Sequence, residues 1–336
     1  MTLISVIIPN YNRETLLGET IQNMLDQSLP PHEVIVVDDG STDRSLEVVR
    51  SFGSRVKLVQ QRNQGPGAAR NAGLAVAAGE FIQFMDSDDL ASRNKLQVQA
   101  GALEREGADV AYGPWLKVRL ADGKAVLEDH VLQQRALPPS RTSLAWLLSG
   151  WSTVLQTCLL RAELVRRIGP FRHDLLTHED FEFMVRIFAE SPRTVFSAGV
   201  ITLYRLHAQS KLTESGASDL RRLQDRAAIY PQIADLLRQR GIGLGLAARV
   251  GFDFVAWQLW QEMRADGRFP QEKLDAVHRL WATLPSGIWR AGSLFRRLAI
   301  RLRFQLTGAR WNRAYQSAFA GPAELGLIRD LGFECN

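Results

Sequence analysis

The chain has 336 residues, of which 46% are hydrophobic and 23% charged, and its formal net charge is +5. This composition excludes a disordered or collagen-like chain, and the length suffices for one large domain or two of average size. Two cysteines, Cys158 and Cys335, are too few for a disulfide scaffold or a four-thiolate zinc site and suggest a reducing compartment.

The first part of the chain, up to about residue 112, alternates short β-branched runs with segments of helical period. Strands are predicted at 3–8, 34–37, 56–59, 81–85 and 109–112, and helices near 17–25, 68–78 and 94–105. The first run lacks the basic lead of a signal peptide and is predicted to be a strand. This alternation predicts a mostly parallel sheet covered on both faces, whose ligand crevice lies at the carboxyl ends of the strands.

The patterning weakens after this region and then becomes helical. Residues 113–145 are predicted to be a connecting or irregular region, and strand-like pieces at 155–160 and 194–204 flank a helix beginning near Glu179. Further helices are predicted at 221–240, 247–265, 271–284 and 288–306. Arg249 and Asp253 interrupt the second of these, which favours a packed helix over a membrane span.

Three predicted strands run into polar turns, with the sequences PNYN (9–12), DDGS (38–41) and DSDD (86–89). Such residues also suit ordinary turns and helix caps, and for a single turn that interpretation is equally good. Three carboxylates within four residues repel one another unless a cation shares them. The third turn therefore favours a hard divalent ion held together with phosphate oxygens.

The segment GPGAARNAG (65–73) superficially resembles a dinucleotide-binding fingerprint. Arg70 stands where Gly or Ala should permit close packing, and the acidic pair precedes the segment instead of following it, so a Rossmann dehydrogenase is disfavoured. Glycine-rich backbone entering a helix can still contact a phosphate, with Arg70 adding a charge-assisted bond. The alternative is a surface arginine on a tightly packed helix.

Residues 6–12 (VIIPNYN), 36–41 (VVDDGS), 65–73 and 86–89, in this order and spacing, resemble the nucleotide-sugar-binding half of glycosyltransferase family 2. The resemblance is close over 1–112 and looser to about 213. It implies an α/β protein of GT-A fold, with a Rossmann-like, mostly parallel sheet flanked by helices. A catalytic domain would span 1–213, with 1–112 binding the nucleotide sugar and 113–213 the acceptor, and 214–336 would form a helical C-terminal region.

The resemblance also implies the residues of a donor and metal site. A nucleoside-diphosphate sugar, with UDP favoured, would be bound by Pro9, Tyr11, Asn12, Asp39, Arg70, Asp86 and Asp88. In this pattern Asp39 reads the base and residues 86–88 are the Asp-x-Asp motif. The Mg²⁺ or Mn²⁺ ligands would come from Asp88, Asp86, Asp89 and His207. A cation there would stabilise the departing diphosphate as a Lewis acid.

An acidic pair, Glu179 and Asp180, begins the helix predicted in the second half. Acidic residues in a first helical turn also simply complement the helix dipole. The family has a Glu-Asp pair at this place, so the resemblance implies that Asp180 is the general base and that Glu179 takes or tunes this role. With no second, nucleophilic carboxylate evident, single displacement with inversion is expected. The alternative is a nucleotide-sugar-binding or scaffold protein without turnover.

The basic excess is concentrated in residues 289–313, which hold seven arginines and no acidic residue. Such a segment suits either an anionic membrane surface or a solvated face of a helix packed on the catalytic domain. Membrane contact would suit a glycan or lipid-linked acceptor in cell-envelope polysaccharide biosynthesis. We therefore expect a cytoplasmic protein, with peripheral contact at the membrane as one option, and no nucleic-acid partner.

Overall fold

The computed structural model describes residues 2–121, 123–127, 131–132, 143–148, 154–207, 216–281, 318–319 and 322–335. The strands of this part are β1 (Ile4–Asn10), β2 (Glu33–Asp38), β3 (Lys57–Gln60), β4 (Phe81–Phe84), β5 (Leu90–Ala91), β6 (Val110–Tyr112), β7 (Trp115–Ala121), β8 (Lys124–Leu127), β9 (Val131–Leu132), β10 (Cys158–Arg161), β11 (Thr194–Phe196), β12 (Thr202–Arg205), β13 (Ala318–Phe319) and β14 (Glu334–Cys335). The α-helices are α1 (Leu17–Leu25), α2 (Ser45–Ser51), α3 (Pro66–Val76), α4 (Lys95–Glu106), α5 (Ser143–Leu148), α6 (Ala162–Ile168), α7 (Glu179–Ala189), α8 (Gly216–Gln239), α9 (Leu246–Asp266), α10 (Gln271–Trp281) and α11 (Pro322–Arg329).

The main sheet has the strand order β11-β6-β10-β4-β1-β2-β3. Strands β4, β1, β2 and β3 are parallel neighbours, and β11 pairs parallel with β6. Strand β10 is antiparallel to both β4 and β6. The prediction of a mostly parallel sheet is confirmed, and the polar turns after β1, β2 and β4 therefore meet at one edge.

Alternate residues of β1 enter two apolar clusters on opposite faces of the main sheet, as the period of a strand requires. Ile4, Val6 and Ile8 pack in the cluster that contains α1 and α4. Ile7 packs in the other cluster, which contains α3 and α7. A Cβ at Gly73 would lie 2.4 Å from Ile7 Cγ2, so glycine is needed for α3 to approach β1 this closely.

The structure corrects the prediction of an irregular region over residues 113–145. Strands β7 and β8 belong to a second sheet with the order β14-β8-β7-β12-β5, which has its own apolar cluster. Strand β7 alternates buried and more exposed residues towards its end. This period-two pattern is weaker in the sequence than the continuous apolar runs of the main sheet, which explains why it was missed.

The C-terminal helices α8, α9 and α10 pack against the face of the main sheet that carries α7. Leu223, Phe252 and Val277 lie in the same apolar cluster as Phe183 and Phe188 of α7. Asp253 of α9 is buried and forms a 2.9 Å ion pair with Arg249, so the prediction of a packed helix is confirmed.

Across the ranges given above, no helix combines the length and apolar character needed to cross a bilayer. The predicted helix at 288–306 and the arginine-rich segment 289–313 lie outside the described residues.

Candidate active site

The turns after β1 and β2 are joined by side-chain hydrogen bonds. Asn10 Nδ2 donates to Asp38 Oδ1 at 3.1 Å and to Ser41 Oγ at 3.2 Å. Asn12, whose φ is 51°, accepts through Oδ1 from the Thr42 amide at 2.7 Å. Three of the predicted donor-binding residues, Pro9, Tyr11 and Asn12, thus stand at this edge beside β2, and Tyr11 is 44% exposed.

Asp39 is buried and holds the loop that leads into α3. Its Oδ1 accepts from Gln61 Nε2 at 2.7 Å and from the Gln64 amide at 2.9 Å, and its Oδ2 accepts from the Gly65 amide at 2.8 Å. Gly65 has a φ of 88°, in the left-handed region that favours glycine. The residue expected to read the base therefore also fixes the start of the glycine-rich helix.

Arg70 links the two halves of the predicted site. Its Nη2 donates to Asp86 at 3.0 Å and its Nη1 donates to Glu179 at 2.6 Å. The side chain is only 6% exposed, and its guanidinium lies 5.5 Å from the Phe171 ring centroid. The alternative of a surface arginine is therefore wrong, because this cation is enclosed between two carboxylates.

A single buried cation does not neutralise the carboxylates around it. Burial raises the pKa of Glu179 to about 7; Arg70 opposes this shift and the nearby Asp180 adds to it. Burial also raises the pKa of Asp86. The positive charge of Arg70 lowers this pKa, and repulsion by Asp88 and Asp180 raises it further. Because a third of the Asp86 side chain is exposed, solvent partly screens this repulsion.

The three acidic residues of the 86–89 turn lie in different surroundings. Asp88 Oδ2 lies 3.2 Å from Arg13 Nε and 2.8 Å from His207 Nε2, so the predicted Asp88 and His207 are in contact. Asp86 faces Arg70. Asp89 is 1% exposed and turned inward, where burial and the repulsion of Asp88 and Asp86 raise its carboxyl pKa well above the usual range.

The inward position of Asp89 is fixed by two hydrogen bonds. Its Oδ1 accepts from the Arg205 amide at 3.0 Å and its Oδ2 accepts from Gln156 Nε2 at 2.5 Å. Gln156 also donates to Asp86 Oδ2 at 3.2 Å. Asp89 is therefore engaged with Gln156 and the Arg205 amide, whereas Asp88 contacts His207, although the sequence grouped all three as candidate ligands.

Sequence reasoning missed Arg205, which anchors the acidic turn. Its side chain is 3% exposed; Nε donates to the Asp88 carbonyl, Nη1 pairs with Glu19, and Nη2 donates to Thr20 Oγ1 at 2.8 Å. These contacts tie α1, the turn and β12 together. The available signal was its place two residues before His207.

A buried lysine, also missed, lies beneath the acidic turn. Lys95 is fully buried, and its Nζ donates to Gln83 Oε1 and, at 2.8 Å, to Gln99 Oε1. Gln83 donates in turn to the Gln156 carbonyl at 3.0 Å. Lysine at a helix start is typically solvated, so no feature of the sequence indicated its burial.

The buried Lys95 is expected to make stability depend on pH between 7 and 9. Burial lowers its pKa from 10.5 to about 7, so in this window the unfolded chain binds the proton and the folded protein does not. The free energy of unfolding then rises with pH by about 1.4 kcal/mol per unit. Urea denaturation at pH 7, 8 and 9 should show this slope in the difference between the unfolding free energies of the wild type and Lys95→Met.

The matched control is Lys124→Met, at an exposed lysine, which should keep the slope of the wild type. Glu179 does not interfere, since its raised pKa acts on stability at lower pH, between 4.5 and about 7. Parallel pH dependences in the wild type and Lys95→Met would contradict the prediction.

The acidic pair at the start of α7 consists of two residues in different surroundings. Glu179 is 6% exposed and ion-paired with Arg70. Asp180 is half-buried, and its Oδ1 accepts from the Phe181 amide at 2.7 Å. Of the two carboxylates, Asp180 is therefore the more accessible to a second substrate, and it stands close enough to Asp86 to influence its pKa.

Known proteins share both the sequence pattern and this architecture. The family model "Glycosyl transferase family 2" matches residues 5–169. A Haemophilus influenzae protein named "Uncharacterized glycosyltransferase" is 32% identical over 199 residues, which cover 58% of this chain and 75% of that protein. The Escherichia coli UDP-Glc:alpha-D-GlcNAc-diphosphoundecaprenol beta-1,3-glucosyltransferase WfgD is 28% identical over 226 residues, covering 66% and 84%.

A solved structure of similar fold is that of S. aureus TarS 1–349 in complex with UDP. It superposes with a TM-score of 0.61 at 20% identity, covering 98% of this chain and 90% of that chain. At this identity the likeness bears on the fold alone. The expected α/β fold of GT-A type is confirmed.

Proposed function

We propose a donor, a metal site and a base for this chain, which belongs to glycosyltransferase family 2 and is a glycosyltransferase. The proposed reaction moves a sugar from a nucleoside diphosphate to a hydroxyl group of a glycan or lipid-linked acceptor, by single displacement with inversion. The observation that carries it is the bridge made by Arg70, which brings the acidic turn at Asp86 against the Glu179–Asp180 pair. The residues proposed to act on the leaving diphosphate and those proposed to act on the acceptor hydroxyl would thus lie next to each other.

The nucleotide is proposed to bind at the edge formed by the turns after β1 and β2. The partly exposed aromatic ring of Tyr11 offers a stacking surface, and Asp39 supplies carboxylate oxygens that accept hydrogen bonds from a base edge. A uridine nucleotide is favoured because TarS was solved with UDP and WfgD is named as a UDP-Glc transferase.

Mg²⁺ or Mn²⁺ is proposed to bind with the diphosphate. Asp88 Oδ2 lies 2.8 Å from His207 Nε2, and Asp86 is on the same turn as Asp88. Carboxylate oxygens together with an imidazole nitrogen form a donor set that suits these ions. Within the described ranges, no three His, Cys, Asp or Glu side chains are grouped so as to hold a cation by themselves. Phosphate oxygens of the donor would supply further ligands. When bound, the ion supplies Lewis-acid stabilisation of the charge on the leaving diphosphate.

Asp180 is the proposed general base. It accepts the proton of the acceptor hydroxyl while that oxygen forms its bond to the anomeric carbon, and the bond between this carbon and the diphosphate oxygen breaks. Glu179 is engaged with Arg70 in a buried ion pair, which supports a positioning role for Glu179 and leaves proton transfer to Asp180. Attack opposite the leaving group inverts the anomeric centre.

The proposal also covers the acceptor and the location of the protein. A lipid-linked or other glycan of the cell envelope is supported by WfgD, whose name gives a diphosphoundecaprenol acceptor. Peripheral contact of 289–313 with the cytoplasmic face of the membrane rests on the arginine-rich sequence. Nucleic acid plays no part in the proposal.

A donor screen tests this function. The melting temperature of the full chain is measured with Mn²⁺ and each of a set of UDP-, GDP- and dTDP-sugars, and the stabilising donors are then assayed for hydrolysis. We expect stabilisation by a UDP-sugar and release of UDP, with NMR of the first-formed sugar showing the inverted anomer. If no nucleotide sugar stabilises the protein, or the retained anomer forms first, the proposal is wrong.

A further inference from the structure

A buried aspartate of the C-terminal helices holds the turn that presents the acidic pair of α7. Asp225, on α8, is 3% exposed. Its Oδ2 accepts from the Leu176 amide at 3.1 Å, from the Thr177 amide at 2.9 Å and from Thr177 Oγ1 at 3.0 Å. Arg221 Nε lies 2.9 Å from Oδ1 and balances the carboxylate charge. One buried side chain therefore satisfies two backbone amides and a hydroxyl of the turn.

The turn that Asp225 holds continues into an uncommon backbone conformation. His178 has φ 61° and ψ 14°, in the left-handed region that residues other than glycine rarely adopt. The His178 side chain caps none of the amides of α7. Glu179 and Asp180 follow immediately, so the direction in which α7 starts depends on the hydrogen bonds that hold the preceding residues.

A second contact from α8 lies on the other side of Asp180. The ring of Tyr230 stacks on that of Phe181, with centroids 6.1 Å apart, and Tyr230 stacks in turn on Phe252 of α9 at 5.6 Å. The residue after Asp180 is thus fixed by the same helix that fixes the turn before it. Helix α8 therefore contacts the chain on both sides of the proposed base.

We infer that Asp225 is a positioning residue for Asp180, and that α8, which like Asp180 lies beyond the family-matched residues 5–169, completes the catalytic centre. The inference rests on the proposed function, because it requires Asp180 to be the base. Asp225 does not contact the donor-binding turns, so its loss disturbs the chemical step and leaves nucleotide binding intact. A loss of turnover without a loss of nucleotide affinity therefore distinguishes a positioning role from a general structural one.

The test is Asp225→Ala in the full chain, assayed with the donor that the screen identifies. We expect kcat to fall on the order of 10²-fold, the scale of a misplaced catalytic group, while the Kd for UDP with Mn²⁺ stays within about twofold. Hydrogen exchange at the Leu176 and Thr177 amides should accelerate. Asp225→Asn, whose amide oxygen accepts the same bonds, should recover most of the lost kcat.

The matched control is Asp235→Ala, on the same helix, where the side chain is 52% exposed and pairs with Arg238. It should keep the kcat of the wild type. If Asp225→Ala does not fold, Thr177→Val serves as the second variant, since it deletes one of the three bonds at nearly constant volume. Unchanged kcat in the folded variant, unchanged amide exchange, or a parallel loss of UDP affinity would overturn the positioning role.

Asp180→Asn, measured alongside, separates failure of this inference from failure of the proposed function. If Asp180→Asn keeps the turnover of the wild type, the proposed base is wrong and the inference falls with it. If Asp180→Asn loses turnover and Asp225→Ala keeps it, only the role of Asp225 is overturned.

Discussion

Asp180→Asn is expected to lose sugar transfer and to keep donor binding. An amide cannot accept the acceptor proton, and loss of a general base typically costs 10²- to 10⁴-fold in rate. The side-chain oxygen of the substituted residue would still accept from the Phe181 amide, so the first turn of α7 should persist. Turnover is measured with the donor that the screen identifies, and UDP binding with Mn²⁺ is measured by calorimetry.

Two further variants sharpen this result. Asp174→Asn changes a neighbouring carboxylate that is 61% exposed and pairs with Arg172, and it should leave turnover unchanged. Glu179→Gln removes the charge that faces Arg70 and should lower the melting temperature, because the buried Arg70 loses one of its two anionic partners. Turnover near that of the wild type in Asp180→Asn would refute the assignment of the base.

Asp88→Ala is expected to abolish the metal-dependent part of nucleotide binding. The substitution removes the carboxylate that meets His207 at 2.8 Å and Arg13 at 3.2 Å, and so leaves the imidazole without its anionic neighbour. Loss of an outer partner of a metal ligand already costs about 10- to 100-fold in metal affinity, so loss of a ligand should weaken Mn²⁺-dependent UDP binding by more than about 10²-fold. Calorimetry with UDP, with and without Mn²⁺, measures the difference.

Asp89→Asn is the informative comparison for Asp88→Ala. Asp89 is turned inward to Gln156 and the Arg205 amide, so Asp89→Asn should alter the melting temperature and keep the Mn²⁺ dependence of UDP binding. Undiminished Mn²⁺-dependent binding in Asp88→Ala would remove the basis for the metal assignment. Loss of that dependence in Asp89→Asn alone would move the metal site to Asp89.

The main sheet was predictable from the sequence and the second sheet was not. Strands β1, β2 and β4 are buried on both faces and therefore appear as continuous apolar runs. Strand β7 interleaves exposed residues with buried ones. Its neighbour β12, and the strand β14 that pairs with β8, come from far along the chain. A pairing between such distant segments leaves no local pattern to detect.

The candidate site was predictable only in part, for a related reason. Asp39 directly follows β2, and Asp86 and Asp88 lie in the turn after β4, so their common edge follows from a parallel sheet. Lys95 and Asp225 are charged residues on helices, where solvent exposure is the ordinary expectation, and the structure buries both of them. Their hydrogen-bond partners lie in other elements of the chain, and only the packing of those elements brings them together.

The sequence by itself therefore determined which chemical groups stand at the carboxyl edge of the sheet, because apolar runs define the strands and the polar residues follow them directly. Only the tertiary structure decided which of these groups contact one another. Arg70 pairs with Glu179 across 109 residues, and Asp88 meets His207 across 119. Contacts across such separations depend on strand order and helix packing, so the distinction between a buried Glu179 and an accessible Asp180 arises only when the chain is folded.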